Sequence, residues 1–262
     1  MENKKWTKKY LVIIWLVTLI IVVAAIWGHV ANFGGFGWSR MGWNDGDVET
    51  MNYDFTDEKI TDISIDMNQT DVNIQYGSTF TVDANFPEKY APTVELKNGK
   101  LIITQRESAK HLDSLDGFKL NIVIPNDTSL DSINIEVSAG DIDVKDIDVK
   151  EFDIEANAGD IDISYIKTDK FDVDTNAGDI DIEDITAGSI NITANAGDIN
   201  LMKSTAKTAE VNANAGDIDI SGNYDEIECD CDFGDVYIDA PNTDRNKIKA
   251  DCSFGTVNVK GK

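Results

Sequence analysis

Aspartate is the residue that recurs most regularly among the side chains able to do chemistry. One row of aspartates is spaced by 19 residues and finally by 18, and a second row lies two residues further on. The first row is Asp141, Asp160, Asp179, Asp198, Asp217 and Asp235, and the second is Asp143, Asp162, Asp181 and Asp219. Carboxylate oxygens are the ligands that Ca²⁺ prefers. The spacing matches neither the GGxGxD calcium repeat nor an EF-hand loop, so we predict a solvated acidic surface, with calcium sites as the alternative.

Paired carboxylates can also act as acid and base in glycoside hydrolysis. An active site needs residues that neighbouring repeats lack, whereas the acids are the most repetitive feature of this chain. His29 and His111 are far apart, and the arginines are equally scattered: Arg40, Arg106 and Arg245. We therefore predict that the protein is not an enzyme and has no catalytic, cofactor-binding or metal-binding residues. The alternative is a β-helical enzyme acting on envelope or host polysaccharide, which predicts a cleft of non-repeating residues near residues 76–130.

Three cysteines lie close to the end of the chain. Cys229, Cys231 and Cys252 precede the next repeat glycine by five, three and three residues, at positions that face the predicted core. Cys231 and Cys252 should stack on adjacent coils, close enough for a disulfide. The other interpretation is that small buried thiols fill the slot occupied by alanine in other copies. The odd number of cysteines favours thiols, and Cys-x-Cys is not the spacing of a zinc knuckle.

These side chains recur because the chain itself repeats. The glycine of Ala-Gly-Asp returns every 19 residues, and two related turns follow at intervals of 18 and 21: Gly140, Gly159, Gly178, Gly197, Gly216, Gly234 and Gly255. Apolar and acidic residues alternate within each copy, as in "FDIEANAGDIDI". A period of two indicates strands with one dry face and excludes a helix. Nineteen residues are too few for a strand-helix-strand unit but suffice for one coil of a parallel β-solenoid.

The predicted fold is therefore all-β, a parallel β-solenoid of about seven or eight coils that is right-handed by the general rule for parallel crossovers. Two apolar columns should form its core. The first is Ile142, Ile161, Ile180, Ile199, Ile218, Val236 and Val257, and the second is Val144, Ile163, Ile182, Leu201, Ile220, Ile238 and Val259. At the corner glycine permits a positive φ, and the amides of Asn157, Asn176, Asn195 and Asn214 can bond from coil to coil.

Two regions depart from the regular pattern. A degenerate copy at residues 63–74 places Thr70 where the glycine stands elsewhere, and residues 76–130 then interrupt the period with strands and hairpin-like turns. We expect this interruption to form the less regular end of the solenoid. The last coil leaves an edge exposed, where Lys260 and Lys262 are charges that discourage another chain from pairing.

The first fifty residues differ in kind from the rest. We predict a cytoplasmic basic tail at 1–9, a transmembrane signal anchor at 10–31 and a juxtamembrane linker rich in glycine and aromatics at 32–50. The extracytoplasmic β-solenoid domain then covers 51–262, with 76–130 irregular and 131–262 regular. A cleaved signal peptide, with a small-residue site at 22–25, is the alternative. The net charge of −25 excludes nucleic acid as a partner, because phosphates would be repelled.

The "SAGDIDV" and "NAGDIDI" repeats behind a single anchor, together with "GFKLNIVIPND", resemble a bacterial family. Its members are membrane-anchored proteins with β-strand repeats, known as putative adhesins of the domain-of-unknown-function class and common in Firmicutes. They include accessory proteins of cell-envelope stress operons. The resemblance covers residues 55–262 and implies a β-solenoid on the outer face of the cytoplasmic membrane. It supplies no catalytic residues.

The sequence thus predicts a non-catalytic, membrane-anchored cell-surface module that acts by interaction with a protein or a wall polymer. The expected partners are the membrane, through one transmembrane helix, and either an envelope-stress membrane protein or a cell-wall polymer. Two alternatives remain, the β-helical enzyme on polysaccharide and a calcium-dependent adhesive scaffold. No cofactor is expected.

Overall fold

The computed structural model describes residues 48–105 and 118–262, which form nineteen strands and two short 3-10 turns. The strands before the regular repeats are β1 Val48–Asp54, β2 Asp62–Met67, β3 Asp71–Gly77, β4 Thr81–Pro87, β5 Thr93–Lys97, β6 Lys100–Thr104 and β7 Lys119–Pro125. The repeats contain β8 Leu130–Val137, β9 Ile142–Lys145, β10 Val149–Ala156, β11 Ile161–Ser164, β12 Lys167–Thr175, β13 Ile180–Glu183, β14 Thr186–Ala194, β15 Ile199–Ala215, β16 Ile218–Phe233, β17 Val236–Ala240, β18 Ile248–Phe254 and β19 Val257–Gly261. The 3-10 turns are Glu88–Tyr90 and Arg245–Lys247.

The N-terminal predictions fall largely outside these ranges. The basic tail at 1–9, the anchor at 10–31 and most of the linker at 32–50 lie among residues that are not described. Across residues 48–105 and 118–262, no helix has the length and apolar character needed to span a bilayer. Strand β1 begins at Val48, so the last three residues of the predicted linker, 48–50, belong to a strand.

Two columns of parallel strands confirm the predicted solenoid. One column holds the strands before each glycine corner, in the order β6, β2, β8, β10, β12, β14, β15, β16 and β18. The other holds the strands after the corner, in the order β7, β3, β9, β11, β13, β15, β16, β17 and β19. Strands β15 and β16 are long enough to belong to both columns. Seven coils therefore share a glycine corner, with a period of 19 residues in most of them.

The two predicted apolar columns form the core. Ile161 pairs in register with Ile142 and Ile180, and every member up to Ile238 is at most 2% exposed. The last coil differs, because Val257 is 40% exposed and Val259 is only partly buried. No further strand lies on that coil among the described residues, so its side chains are covered from one side only.

Glycine is required at the corner for two reasons. Gly178 has a φ of +138°, and a Cβ placed on it would lie 1.9 Å from the carbonyl oxygen of Gly159. The adjacent asparagines form the expected ladder, since Nδ2 of Asn176 donates to Oδ1 of Asn157 at 2.7 Å. Both observations confirm that the recurring motif builds the bend between stacked strands.

A second corner closes each coil on the other side. Four residues spaced by 19 adopt left-handed backbone conformations there: Asp146, Tyr165, Asp184 and Lys203, with φ between 52° and 58°. The next coil omits this residue, and the register between β15 and β16 shifts between Leu201 and Ser204, which explains the 18-residue interval. The 21-residue interval comes from the turn at Arg245–Lys247, since Ile227 pairs with Ile248.

The degenerate copy at residues 63–74 forms a coil of its own from β2 and β3. Its Thr70 lies at the corner, where a Cβ on Gly140 would come within 2.1 Å of the Thr70 carbonyl oxygen. Strands β6 and β7, from the interrupted segment 76–130, stack beyond this coil and continue both parallel columns. The chain therefore visits the coils out of spatial order, because β8 lies on the opposite side of β2 from β6.

Antiparallel strands complete this end of the stack. Strand β4 pairs with β7, β1 pairs with β4, and β5 pairs with β6. The β5–β6 hairpin turns through Asn98 and Gly99, which have φ of 51° and 83°, as a type I′ turn requires. The hairpin predicted from the sequence is thus present.

Candidate binding groove

The first row of aspartates has a structural role. Oδ1 of Asp160 accepts the backbone N–H of Asp179 at 3.0 Å, and the same bond joins each neighbouring pair from Asp141 to Asp235. Oδ1 of Asp235 in turn accepts the N–H and the hydroxyl of Thr256. These bonds lower the pKa of the Asp235 carboxyl, and we infer that they make a row of like charges tolerable.

The second row lies on the outer face of the sheet. Burial, reinforced by Asp181 and Asp143, raises the pKa of the Asp162 carboxyl. Asn200 interrupts the row and donates from Nδ2 to Oδ1 of Asp181 at 2.7 Å. Within residues 48–105 and 118–262, no three acidic, cysteine or histidine side chains converge in a way that could hold a metal ion.

The three cysteines are free thiols. Cys231 and Cys252 are paired in register on adjacent coils, as predicted, and Cys252 lies in the partly covered last coil. The Cys252 thiol donates to the carbonyl oxygen of Gly234 at 3.0 Å. Burial raises the pKa of both the Cys229 and the Cys231 thiols to about 12. Cys231 and Cys252 thus continue the column that Ala194 and Ala213 fill in the preceding coils, whereas Cys229 continues the column of Val211.

A groove lies along the second corner, where the repeats meet the segment that interrupts them. It consists of two adjoining cavities of about 750 and 610 Å³, which share Tyr76, Asn126, Asp148 and Lys167 as lining residues. One wall comes from the end of β3 and the turn after β7. The other comes mainly from the link between β9 and β10 and the link between β11 and β12. The cleft near residues 76–130 that the enzyme alternative requires is therefore present, although its presence alone implies no reaction.

Tyr76 fixes one wall of this groove. Its phenolic oxygen accepts the backbone N–H of Asp148 at 3.0 Å. This bond joins β3 to the second corner of the adjacent coil, which follows β9. Burial raises the pKa of the Tyr76 hydroxyl, and the nearby Asp148 and Asp146 carboxylates add to this shift. The hydroxyl therefore keeps its proton at neutral pH and can donate it to a ligand.

Tyr165 forms an aromatic platform beside Tyr76. It occupies the left-handed corner position that aspartate holds in the coils on either side, at Asp146 and Asp184. A residue with a bulky side chain rarely adopts a positive φ, yet Tyr165 has a φ of 58°. Its side chain is not buried in compensation, since 50% of its surface is exposed. The ammonium of Lys145 lies 5.7 Å from the centre of its ring.

Lysines and aspartates both line the rest of the groove. Lys167 lies 3.8 Å from Asp148, and Lys150 lies 2.5 Å from Asp131. Lys207 lines the second cavity and enters no ion pair within the described ranges. The groove thus presents ammonium, carboxylate, amide and hydroxyl groups next to a tyrosine ring. Such a set suits the hydroxyls and the apolar ring faces of sugars.

Sequence reasoning did not single out Tyr76, Tyr165 or the lysines of the groove. The corner at Tyr165 carries no glycine and no alternation, so only its spacing of 19 residues from both Asp146 and Asp184 could have revealed it. Tyr76 lies on β3 and Asn126 in the turn after β7, and their approach to the repeats depends on the crossover of the chain, which no local pattern encodes.

Comparison with known proteins agrees with this architecture. No curated protein matches the chain. A solved structure of a putative adhesin from Bacteroides fragilis is similar, with 15% identity, coverage of 82% of this chain and 97% of that one, and a TM-score of 0.52. A putative adhesin from Parabacteroides merdae shares 14% identity over 83% of this chain and 97% of its own, with a TM-score of 0.48.

At such identities the similarity concerns the fold alone. The sequence profile of the family described as Toastrack DUF4097, a domain of unknown function, is a separate match that covers residues 60–261. This span includes the degenerate first copy, the crossover strands and all seven glycine corners. The chain therefore belongs to the Toastrack DUF4097 family.

Proposed function

We propose that the chain is a non-catalytic module held outside the cell by an anchor at residues 10–31, and that it binds a carbohydrate polymer of the cell wall in the groove. The lysines before the apolar segment 10–31 and the acidic domain after it support this orientation. The name of the similar Bacteroides fragilis protein, a putative adhesin, agrees with a role in surface attachment.

The observation that carries the proposal is the replacement of a repeated aspartate by Tyr165 at the groove. Elsewhere the outer faces repeat acidic and small polar residues that form structural ladders. At this corner an exposed aromatic ring faces a cavity with a donor hydroxyl on Tyr76 and the amide of Asn126. A departure from the repeat that adds a costly exposed ring is typical of a binding position.

The shape and the charges of the groove favour a polymer. Two adjoining cavities that are open to solvent offer a longer surface than an enclosed pocket for a small molecule would. Lys150, Lys167 and Lys207 provide positive charge on a domain whose remaining surface is strongly acidic. Sugar hydroxyls can accept from these ammonium groups and donate to the neighbouring carboxylates.

A binding measurement with purified wall polymer tests this proposal. The full chain in detergent should sediment with the polymer, and Tyr165→Ala should weaken binding by about tenfold, since a stacked ring contributes roughly 1.4 kcal/mol. Tyr237→Ala is the matched control, because Tyr237 also carries a lysine, Lys260, 4.9 Å from its ring but lies outside the groove. Equal weakening by both variants, or by neither, would contradict the proposal.

The polysaccharide enzyme is the second candidate, and the cleft beside residues 76–130 is the observation that favours it. The groove holds the carboxylates of Asp146 and Asp148 next to the Tyr76 hydroxyl. Prolonged incubation with the same wall polymer separates the two functions. New reducing ends would support the enzyme, whereas the binding proposal expects the polymer to be recovered intact.

A further inference from the structure

The cavity beside Tyr165 has more carboxylate than ammonium groups. This first cavity of the groove, of about 750 Å³, is lined by two aspartates and one lysine: Asp146, Asp148 and Lys167. The Lys167 ammonium lies 3.8 Å from the Asp148 carboxylate, so these two charges largely offset each other. The Asp146 carboxylate has no ion pair and no hydrogen bond within residues 48–105 and 118–262. The first cavity therefore presents one negative charge without a partner.

The same carboxylate lies near the hydroxyl of Tyr76. The charges of Asp148 and Asp146 both contribute to the raised pKa of Tyr76, which places them close to its phenolic oxygen. That oxygen accepts the backbone N–H of Asp148, and its own proton remains available to a ligand. The amide of Asn126 also lines the cavity. A hydroxyl and an amide thus lie beside the carboxylate.

The ring of Tyr165 adds a surface that attracts cations. The face of an aromatic ring carries partial negative charge, and an ammonium within about 6 Å of its centre is attracted to it. Lys145 already lies 5.7 Å from the ring centre, but Lys145 does not line the first cavity. Tyr165 does line this cavity and is 50% exposed, so the ring offers further surface to a cation from a ligand.

The charges of the whole groove argue against an anionic polymer. Aspartates outnumber lysines in the lining of the two cavities: Asp127, Asp146, Asp148 and Asp169 against Lys150, Lys167 and Lys207. Lys150 is also paired with Asp131, at 2.5 Å. The chain carries a net charge of −25, so its field attracts cations and repels anions. Local and overall charge therefore favour a ligand with positive groups.

We propose, building on the function proposed above for the groove, that the polymer carries free amino groups and that the first cavity binds one of them as an ammonium ion. Asp146 and Tyr165 occupy the same corner position in adjacent coils, and neighbouring strands lie about 4.8 Å apart. One ammonium group can therefore contact both the Asp146 carboxylate and the Tyr165 ring. The Tyr76 hydroxyl and the Asn126 amide bond the sugar hydroxyls beside it.

This arrangement selects an amino sugar that is not acetylated. Acetylation of the amine removes its positive charge, and with it the attraction to both the carboxylate and the ring. The resulting amide is also bulkier and has one N–H donor where the ammonium has three. The groove thus distinguishes two forms of the same sugar by charge.

A soluble oligomer of glucosamine and the same oligomer after N-acetylation are the matched probes. Calorimetric titration of the full chain in detergent, at a slightly acidic pH that keeps the amines protonated, measures both affinities. The native chain should bind the glucosamine oligomer about tenfold more tightly than the acetylated form, because only the former brings a charge to Asp146 and Tyr165.

Replacement of one carboxylate separates this site from the general attraction of an acidic protein for cations. Asp146→Asn should weaken binding of the glucosamine oligomer by about fivefold and affect the acetylated form much less. Asp184→Asn is the matched control, since Asp184 has the same φ of 57° at the corner but lines neither cavity. Asparagine also adopts a left-handed conformation readily, so both variants should fold.

Three results would overturn the proposal: equal binding of the two oligomers, no binding of either, or equal weakening by Asp146→Asn and Asp184→Asn. The co-sedimentation of Tyr165→Ala with wall polymer reports separately on the function of the groove. Weakened co-sedimentation together with equal binding of the two oligomers would mean that the groove binds the polymer without recognising an amine.

Discussion

The backbone N–H of Asp179 donates a hydrogen bond of 3.0 Å to Oδ1 of Asp160, one coil away along the stack. The same bond repeats in the next coil, where the Asp179 carboxylate accepts the N–H of Asp198 at 2.9 Å. Each carboxylate therefore satisfies a corner amide that the bend leaves without a partner in the ladder. The most repetitive acids of the chain are explained by backbone bonding at the corner.

Replacement of Asp179 separates its hydrogen bond from its charge. Asp179→Ala should lower the free energy of unfolding by about 1 kcal/mol, because the N–H of Asp198 loses its acceptor. Asp179→Asn keeps an acceptor oxygen and removes one like charge from the row, so its stability should equal or exceed that of the native chain. Urea unfolding measures both, and an equal loss in the two variants would show that charge, and not acceptance, is what matters.

The pH dependence of stability should differ in sign between Asp162 and Asp235. The pKa of Asp162 is raised by burial, so the folded protein holds this proton more tightly than the unfolded chain does. Its contribution therefore becomes unfavourable as the pH rises from the ordinary value of 3.8 through the raised pKa. Asp162→Asn should be more stable than the native chain at neutral pH, and this advantage should vanish in acid.

Asp235 supplies the opposite case as a control. Thr256 donates to its carboxylate and lowers its pKa, so the stability it contributes is present above 3.8 and is lost as the pH falls through the folded pKa. Asp235→Asn should therefore be less stable than the native chain at neutral pH. Urea unfolding from about pH 3 to pH 8 follows both variants, and curves of the same sign would refute the assignment.

Repetition explains which features were predictable from the sequence. The columns from Ile142 to Ile238 follow from a period of two inside a period of 19, because each coil meets the same neighbours. The level formed by β6 and β7 was not predictable, since their place beyond β2 depends on a crossover of the chain. The groove was not predictable for the same reason, because Tyr76 and Asn126 come close to Tyr165 only as a result of that crossover.

Close contact between corners predicts a large effect of a single methyl group. Gly178→Ala should lower the free energy of unfolding by about 3 kcal/mol or more, because φ is +138° and the new Cβ would lie 1.9 Å from the Gly159 oxygen. Ala177→Ser is the matched control, since Ala177 is exposed at the same corner and already carries a Cβ. Urea unfolding compares them, and a loss below about 1 kcal/mol for Gly178→Ala would indicate that the corners are loosely packed.

The thiols should differ sharply in reactivity. Cys229 and Cys231 have pKa values of about 12 and are buried, so almost no thiolate forms at pH values near neutrality. Only Cys252, in the partly covered last coil, should react with a maleimide in the folded protein, and all three should react after unfolding. Cys252→Ser should abolish the reaction of the folded chain. Labelling that appears only after a reductant is added would instead reveal a Cys231–Cys252 disulfide.

The Tyr76 hydroxyl offers a way to weaken the groove without weakening the fold. Tyr76→Phe removes the acceptor of the Asp148 N–H, but Asp148 is exposed and water can replace the bond, so the free energy of unfolding should fall by less than about 1 kcal/mol. Polymer binding should fall by about threefold to tenfold, since the ligand loses a donor and the wall loses its tie to the corner. Calorimetric unfolding and polymer co-sedimentation measure the two effects. Unchanged binding in Tyr76→Phe, together with unchanged binding in Tyr165→Ala, would place the ligand on another face of the solenoid.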